Sequence, residues 1–374
     1  AASDVYKRQD YFVKNIKKNA DGAITNVICN SAKQGLIPQR NYFDKDIANS
    51  DNTDGYYIIE TNDFVYNPRK STDAPYGPIS CYKYPEAGIV SPLYLCFRAK
   101  QEINPLYFEW CFRSSVWHRY IYMSGDSGAR HDRVSIKDDT FFAMPINIPS
   151  AKEQDRIALF LNAIEQRIDK QRSLVEALKK YKRGVTNAIF NKDLRFASKE
   201  TTYPKWEQKY IGEICKIQTG KSNTQDETVH GCFPFYVRSP IVRKSNRYLF
   251  DCEAVLTVGD GVGTGKVFHH VTGKFDLHQR VYAMTDFKLV SGKYFYYYFS
   301  NFFYDRVMRM TAKTSVDSVR YEMIDRMPIL IPCKEEQCQI VRLLNLLEKE
   351  VRDAEVKLTL LEKLKSGFLQ QLFI

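Results

Sequence analysis

The chain has 374 residues, 44% of them hydrophobic and 26% charged, which excludes wholesale disorder and leaves room for two or three domains. Lys and Arg (55) outnumber Asp and Glu (44), and the net charge of +11 favours a polyanionic partner such as nucleic acid over a merely well-solvated surface. The most apolar stretch, residues 294–304, is tyrosine-rich and too short to span a bilayer, so no membrane association is expected.

Residues 1–148 predict a first α/β domain built on a mixed or antiparallel sheet. The segment is rich in β-branched and aromatic residues, with Gly, Pro, Asn and Asp between the strands predicted at 56–60 and 89–98. An aromatic helix is predicted over 106–123, and we assign it to core packing.

Residues 149–192 predict one long helix that begins after Pro149, where proline is harmless. Apolar residues recur at spacings of four and three, the 3.5-residue period of a coiled-coil seam. About 40 residues at a rise of 1.5 Å would span about 60 Å. The apolar seam residues are Ile157, Leu161, Ile164, Ile168, Val175 and Leu178.

Residues 200–331 predict a second α/β domain of the same kind. Strands are predicted at 254–258, 265–269 and 281–285, and an aromatic helix at 294–310. The glycine-rich residues 259–266 lie between two strand-like segments, and we interpret them as a tight hairpin. They do not match a P-loop, because Asp260 stands at the place of the first glycine and Val267 replaces the Mg²⁺-binding Ser or Thr.

Residues 332–374 predict a second long helix that repeats the first. Pro149, Glu153, Gln154 and Gly184 of the first copy recur, at one constant offset, as Pro332, Glu336, Gln337 and Gly367. The weaker seam residues fall at the same register in both copies, which predicts that the two seams pair with each other; the alternative is that each helix packs separately on its own domain. The apolar seam residues of this copy are Ile340, Leu344, Leu347, Val351, Leu358 and Leu361.

The order domain, helix, domain, helix predicts an α+β fold in which two α/β recognition domains are separated by an antiparallel coiled coil with pseudo-twofold symmetry. DNA shares this symmetry, because two half-sites on one face of a duplex are read by two-fold-related modules. A rod of about 60 Å would span at most about 18 base pairs.

No residue pattern predicts catalysis, cofactor binding or metal binding by this chain. The nine cysteines are odd in number and form no Cys-x-x-Cys pair, which favours reduced thiols in a cytoplasmic protein, and the six histidines show no metal-ligand spacing. Residues 66–69 lack the second proline and the final aromatic residue of an amine methylation motif. Asp353, Glu355 and Lys357 are nuclease-like only in type, because they fall on the solvated face of the predicted coiled coil.

These features resemble, over essentially the whole length of the chain, the specificity (S) subunit of type I restriction–modification systems. The most specific motifs are the helix starts Ile148-Pro149-x-x-x-Glu153-Gln154-x-x-Ile157 and Ile331-Pro332-x-x-x-Glu336-Gln337-x-x-Ile340, with the helix ends Lys182-x-Gly184 and Lys365-x-Gly367. Further similar segments are residues 31–39, 66–69, 258–266 and 278–280.

The resemblance implies a non-catalytic subunit with two target-recognition domains, each reading one half of a bipartite double-stranded DNA sequence, and two helices acting as a ruler. It also implies assembly with two modification subunits, which use S-adenosylmethionine to methylate adenine, and with restriction subunits, which use ATP and Mg²⁺ to translocate and cleave DNA. The implied setting is a bacterial defence system in the cytoplasm.

The first domain departs from the family pattern at its start. The second domain opens with Tyr203-Pro204-Lys205-Trp206 and Ile211-Gly212-Glu213-Ile214, and the sequence of the first domain offers no match. We therefore expect some tens of residues to be missing before the first domain, and residues 1–9 need not be native.

Basic and amide side chains on loops are the candidates for DNA contact, because they can fork onto base edges or hold phosphates. Residues 125–133 and 312–320, which precede the two long helices, are the favoured loops. The first-domain candidates are Lys33, Gln34, Arg69, Lys70, Arg130, His131 and Arg133, and the second-domain candidates are Lys221, Arg243, Lys244, Lys266, Arg280, Lys313 and Arg320.

Two other functions compete with DNA reading. In the first, the chain is a coiled-coil scaffold whose domains bind protein, and its affinity for a mixed-sequence duplex would be negligible at low salt. In the second, the chain is a methyltransferase fused to a specificity subunit, and the isolated chain would bind S-adenosylmethionine.

Overall fold

A computed structural model describes residues 4–41, 53–125, 132–196, 203–261, 263–311 and 318–373. The chain divides into two compact units: residues 1–172 with 357–374 form unit 1, and residues 173–356 form unit 2. Each unit therefore combines one α/β domain with part of both long helices. The segment boundaries proposed from the sequence, at 148, 192, 200 and 331, remain a prediction.

Unit 1 contains a four-stranded antiparallel sheet in the order β2-β9-β6-β7, and two further strand pairs, β3 with β4 and β5 with β8. A parallel bridge between Val27 and Ile89 joins these two pairs. The strands are β1 (Asp4–Lys7), β2 (Phe12–Lys14), β3 (Ile28–Ser31), β4 (Gly35–Pro38), β5 (Tyr57–Ile59), β6 (Phe64–Tyr66), β7 (Ile79–Cys81), β8 (Gly88–Val90), β9 (Leu95–Ala99) and β10 (Pro145–Ile148). The helices are α1 (Arg8–Tyr11), α2 (Pro105–Arg113), α3 (His118–Ser124), α4 (Asp138–Phe142) and the first part of α5 (Ala151–Phe190).

Unit 2 contains a four-stranded antiparallel sheet in the order β12-β19-β16-β17 and a mixed sheet in the order β14-β13-β18-β15, in which β13 and β18 run parallel. The strands are β11 (Glu207–Tyr210), β12 (Lys216–Thr219), β13 (Phe233–Tyr236), β14 (Arg243–Ser245), β15 (Phe250–Asp251), β16 (Ala254–Val258), β17 (Phe268–Val271), β18 (Lys274–Leu277), β19 (Val281–Thr285) and β20 (Pro328–Ile331). The helices are α6 (Ile211–Ile214), α7 (Gly292–Met310), α8 (Tyr321–Asp325) and the first part of α9 (Lys334–Leu372).

The two units repeat one topology strand for strand, since β2 to β9 follow the same order and pairing as β12 to β19. The equivalence includes β1, which pairs with β10 as β11 pairs with β20. The Arg8 amide donates to the Met144 carbonyl over 2.9 Å, and the Ile211 amide donates to the Met327 carbonyl over 3.0 Å. Residues 4–11 therefore occupy the position that residues 207–214 hold in unit 2, although the two segments are not similar in sequence.

The long helices α5 and α9 pack against each other, as predicted. Within unit 1 the amine of Lys365 lies 2.7 Å from the Glu165 carboxylate, and Arg172 lies 3.1 Å from Glu362. Since higher numbers on α5 face lower numbers on α9, the pairing is antiparallel. Every seam position predicted from the sequence is buried or half-buried; Leu161, Ile168 and Leu344 are fully buried.

Ion pairs at the repeat-related positions recur within unit 2 with the roles of the helices exchanged. Lys182 lies 3.5 Å from Glu348, and Lys179 lies 3.0 Å from Glu355. In the sequence repeat Lys182 corresponds to Lys365 and Glu348 to Glu165, whereas Lys179 and Glu355 take the positions of Glu362 and Arg172 with the two charges exchanged. Reciprocal contacts of this kind are the signature of a self-complementary interface.

The ends of both helices also enter the domain cores, so the alternative of helices packing on domains holds in part. Ala158, Leu161 and Phe373 belong to the aromatic core of unit 1, which contains Phe12, Phe64 and Phe97. Ile189, Phe190, Ile340 and Leu344 belong to the core of unit 2 together with the tyrosine-rich helix α7. Each core is thus completed by the start of one long helix and the end of the other.

Three predicted elements differ from the observed ones for local reasons. The strand predicted over 89–98 is two strands, because a turn at residues 91–94 interrupts it at Pro92, which lacks an amide hydrogen. The helix predicted over 106–123 breaks into α2 and α3, where the Ser114 hydroxyl donates to the Cys111 carbonyl over 2.6 Å. The strand predicted over 265–269 begins only at Phe268, because residues 263–266 form a turn in which the Lys266 amide donates to the Gly263 carbonyl.

Candidate nucleic-acid interface

A cleft of about 750 Å³ with a basic rim lies in unit 1. Three connections meet there: the β3–β4 turn, the residues between β6 and β7, and the β8–β9 turn. The candidates predicted from the sequence that line it are Lys33, Gln34, Arg69, Lys70 and Arg133. The other two first-domain candidates, Arg130 and His131, lie outside the described residues.

Backbone hydrogen bonds fix the basic side of this cleft. Arg69 and Arg133 form an isolated antiparallel bridge. The Lys70 amide donates to the Asp132 carbonyl, and the Val134 amide donates to the Pro68 carbonyl, each over 2.9 Å. These bonds hold the three cations of this rim on neighbouring backbone positions, so little backbone entropy remains to be lost when the cations bind an anion.

The side-chain amides of buried Asn30 and half-buried Asn67 also line the cleft. Asn30 is 5% exposed; its amide donates to the Val65 carbonyl over 2.8 Å, and its side-chain oxygen accepts from the Ser80 hydroxyl over 2.7 Å. Asn67 donates to the Asn30 carbonyl over 3.1 Å and accepts from the Arg69 amide over 3.0 Å. These bonds thus tie the β3–β4 turn to the segment that carries Arg69. Neither asparagine is among the DNA-contact candidates predicted from the sequence.

The equivalent surface of unit 2 surrounds His278. Asp260 and Ser318 form an isolated bridge at the place where Arg69 and Arg133 do so in unit 1, and the Val319 amide donates to the Gly259 carbonyl over 2.8 Å. The Gly259 amide donates to the Arg280 carbonyl over 2.8 Å. Of the candidates, Arg280 is exposed on this surface, and Arg320 is exposed two residues beyond Ser318. Lys313 lies outside the described residues.

The other second-domain candidates have different surroundings. Lys221 is exposed after β12, and its amide donates to the Leu277 carbonyl over 3.2 Å. Lys266 is exposed, with its amine 4.9 Å from the ring of Tyr304. Arg243 and Lys244 lie on the edge strand β14 rather than on a loop and line a separate shallow cavity of about 480 Å³, where Arg243 pairs with Glu227.

One arginine of this surface, Arg238, is not among the candidates predicted from the sequence. It follows β13 in the turn to β14, the equivalent of the turn that carries Lys33, and its guanidinium lies 3.7 Å from the Asp260 carboxylate. The Ser239-Pro240 pair next to it is a turn signal that would have exposed it as a loop cation.

Half-buried His269 and buried His278 are expected to make the stability of unit 2 dependent on pH. Burial lowers the pKa of His269, and burial together with the nearby Arg238 and Arg280 lowers that of His278. As the pH falls below 6.5, the ordinary pKa of histidine, the two imidazoles bind protons in the unfolded chain but remain neutral in the folded chain, and the folded state loses stability. We therefore expect the melting temperature to fall between pH 7.5 and 5.5, and His278→Gln to reduce the fall. Equal pH dependence of the variant and the parent chain would contradict this expectation.

The described residues hold no group of three or more His, Cys, Asp or Glu side chains arranged to bind a metal ion. All nine cysteines are free thiols. Within the described part of the chain, no helix has the length and apolar character needed to cross a membrane.

Residues 203–362 match the family described as type I restriction modification DNA specificity domain. A segment of 168 residues, 44% of this chain, is 25% identical to the type I restriction enzyme EcoDI specificity subunit of Escherichia coli. The matched segment covers 36% of that protein.

Solved structures match over nearly the whole chain. The type I restriction–modification S subunit from M. genitalium superposes with a TM-score of 0.62 at 14% identity, covering 99% of this chain and 96% of the other. A chain from a structure of a type I R-M system superposes with a TM-score of 0.60 at 15% identity, covering 100% and 97%. The HsdS subunit from Thermoanaerobacter tengcongensis gives 0.52 at 14%, covering 99% and 96%. With its repeated topology and paired helices, the chain has the fold of type I restriction–modification S subunits, and its residues 203–362 are similar to their DNA specificity domain.

Proposed function

We propose that this chain is the non-catalytic subunit that gives a type I restriction–modification complex its DNA sequence specificity, with each domain reading one half of a split target. The observation that carries the proposal is the cleft of unit 1. There, five side chains chosen from the sequence as DNA contacts line one cavity with a basic rim. Arginine, lysine and glutamine suit this role because they bind phosphates and the acceptor and donor edges of bases.

The proposal includes the assembly. The chain recruits two modification subunits, which bind S-adenosylmethionine and methylate adenine, and restriction subunits, which use ATP and Mg²⁺. These groups belong to the partners, and the chain supplies binding and position only. Nothing in the described residues favours the scaffold alternative, and DNA affinity separates it from the proposal.

Binding to a mixed-sequence duplex, measured on the full chain between 50 and 200 mM salt, tests the basic cleft. We expect the combined change Arg69→Ala, Lys70→Ala and Arg133→Ala to weaken binding and to reduce the slope of log affinity against log salt by up to about 2.7, because each phosphate contact contributes about 0.9. The control is Arg167→Ala, Lys170→Ala and Lys363→Ala, which removes three exposed cations of the long helices. Identical slopes for both triple variants would remove the cleft from the interface.

Methylation mapping tests the split target. The full chain is co-expressed with its modification subunit, and methylated adenines are located across the host genome. A motif of two parts with a constant gap is the expected result, whereas a continuous motif or unmethylated DNA would contradict the proposal.

A further inference from the structure

An aspartate faces the cation of the hairpin turn in each domain. In unit 2 the Asp260 carboxylate lies 3.7 Å from the Arg238 guanidinium, and their side chains are 32% and 47% exposed. In unit 1 the Asp73 carboxylate lies 3.4 Å from the Lys33 amine. Lys33 belongs to the turn between β3 and β4, and Arg238 belongs to the equivalent turn between β13 and β14. Asp73 lies between β6 and β7, and Asp260 lies in the equivalent connection between β16 and β17.

The arrangement recurs although the loops differ in sequence and length. The connection in unit 1 carries Arg69, Lys70 and Asp73, whereas the one in unit 2 is the glycine-rich segment with Asp260. Asp260 takes the backbone position of Arg69, since it forms the bridge with Ser318 that Arg69 forms with Arg133. Both domains therefore place a carboxylate beside the turn cation, although the loops that carry the carboxylate differ in sequence and length.

The backbone around Asp260 is held on both sides, so its carboxylate has a defined place. The Gly259 amide donates to the Arg280 carbonyl, and its own carbonyl accepts from Val319, each over 2.8 Å. Gly261 has a φ of +89°, a conformation that residues with a Cβ rarely adopt, and it turns the chain directly after Asp260. Asp260 thus lies beside Arg238, directly after the residue that bonds to the backbone of exposed Arg280, on the surface that surrounds His278.

Stability alone does not account for these pairs. Ion pairs between side chains this exposed contribute about 0–1 kcal/mol, and the 3.7 Å separation in unit 2 exceeds hydrogen-bond length. On a surface that faces phosphates, by contrast, a carboxylate weakens binding to every DNA sequence. It is compensated only where a base presents an amino group, such as N4 of cytosine, as a donor.

We propose that Asp260 in the second domain, and Asp73 in the first, are specificity-determining residues that restrain the turn cations Arg238 and Lys33 and suppress sequence-independent DNA binding. The inference rests on the proposed function. It adds that part of the target selectivity arises from two carboxylates that oppose phosphate rather than from further attractive contacts.

The test compares Asp260→Asn and Asp73→Asn with the control Asp251→Asn. Asp251 is exposed on β15 and pairs with Lys274 at the start of β18, whereas His278 follows the end of β18. Asp260→Asn and Asp73→Asn should each bind a mixed-sequence duplex about threefold to tenfold more tightly at 50 mM salt, and the slope of log affinity against log salt should be steeper by up to about 0.9. Arg238→Ala in the Asp260→Asn background should abolish the gain. Asp251→Asn measures the general effect of net charge.

Equal affinity and slope for Asp260→Asn and Asp251→Asn would overturn the inference while leaving the proposed function intact. A parent chain without measurable duplex affinity at low salt would instead remove the proposed function, and this inference with it. In the assembled modification complex, Asp260→Asn should make one half of the methylated motif degenerate, and Asp73→Asn the other half. Motifs unchanged in both halves would contradict the assignment.

Discussion

Replacing Arg8 by isoleucine should raise the free energy of unfolding of unit 1 by about 3 kcal/mol. Arg8 is fully buried, and its Nε and Nη1 atoms lack hydrogen-bond partners. Its guanidinium contacts the sulfur of Met144 at 2.9 Å and lies 4.3 Å from the ring centre of Phe141. These contacts do not replace water, and burial lowers the pKa of Arg8 to about 10 from 12.5. The shift below the ordinary value means that the folded state bears the full cost of the charge at neutral pH.

Isoleucine is the appropriate replacement because Ile211 occupies the equivalent position of unit 2 and is fully buried there. Chemical denaturation of the full chain, followed by a probe in unit 1, measures the change. Lys7→Ile is the matched control, because it removes an exposed neighbouring cation and should leave stability nearly unchanged. A loss of stability in Arg8→Ile would show that the arginine makes a favourable interaction in the core.

Arg195→Ala should destabilise unit 2 by about 2–4 kcal/mol, because it leaves a buried carboxylate without its cation. Glu336, near the start of α9, is 0% exposed and accepts two bonds from Arg195, at 3.0 and 2.7 Å, and one from the Trp206 indole at 2.8 Å. The hydrogen bonds to Glu336 raise the pKa of Arg195. The side chain of Arg195 is 31% exposed, which places the expected loss below that of a fully enclosed pair.

Glu336→Gln in the Arg195→Ala background should recover part of the loss, since a neutral amide costs less to bury than an unpaired carboxylate. Lys349→Ala is the control: Lys349 forms an exposed ion pair with Asp353 on the same helix, and its removal should cost less than about 0.5 kcal/mol. Should the double variant be as unstable as Arg195→Ala, the charge of Glu336 would not be the origin of the effect.

The paired helices could be predicted from the sequence because periodicity and repetition agree. Ile168 and Leu344 are apolar at seam positions and are buried, and the polar seam residues Lys182 and Lys365 pair with Glu348 and Glu165 of the opposite helix. Because one face of each long helix makes the contacts, apolar residues recur at a regular spacing over about 40 residues, and this period is easy to detect. The described strands are only two to five residues long, and their bounds depend on turns such as the one at Pro92.

The cleft of unit 1 was accessible to sequence reasoning only in part. Loop position and side-chain chemistry identified Arg69 and Arg133, but their adjacency depends on a bridge between residues far apart in the chain. Asn30 was missed because its role comes from burial. Arg8 conceals the equivalence of residues 4–11 to the start of the second domain, since a charged residue stands where unit 2 has Ile211.

The last residues of the sequence belong to the core of the first domain. Phe373 is 4% exposed, and its ring centre lies 5.5 Å from that of Tyr107. During synthesis the aromatic core of the first domain therefore stays incomplete until the end of α9, made more than two hundred residues later, has left the ribosome. A fusion partner or a nick near residue 370 would accordingly damage the domain encoded first, and folding of that domain should be slow because its closing contacts are so distant in the chain.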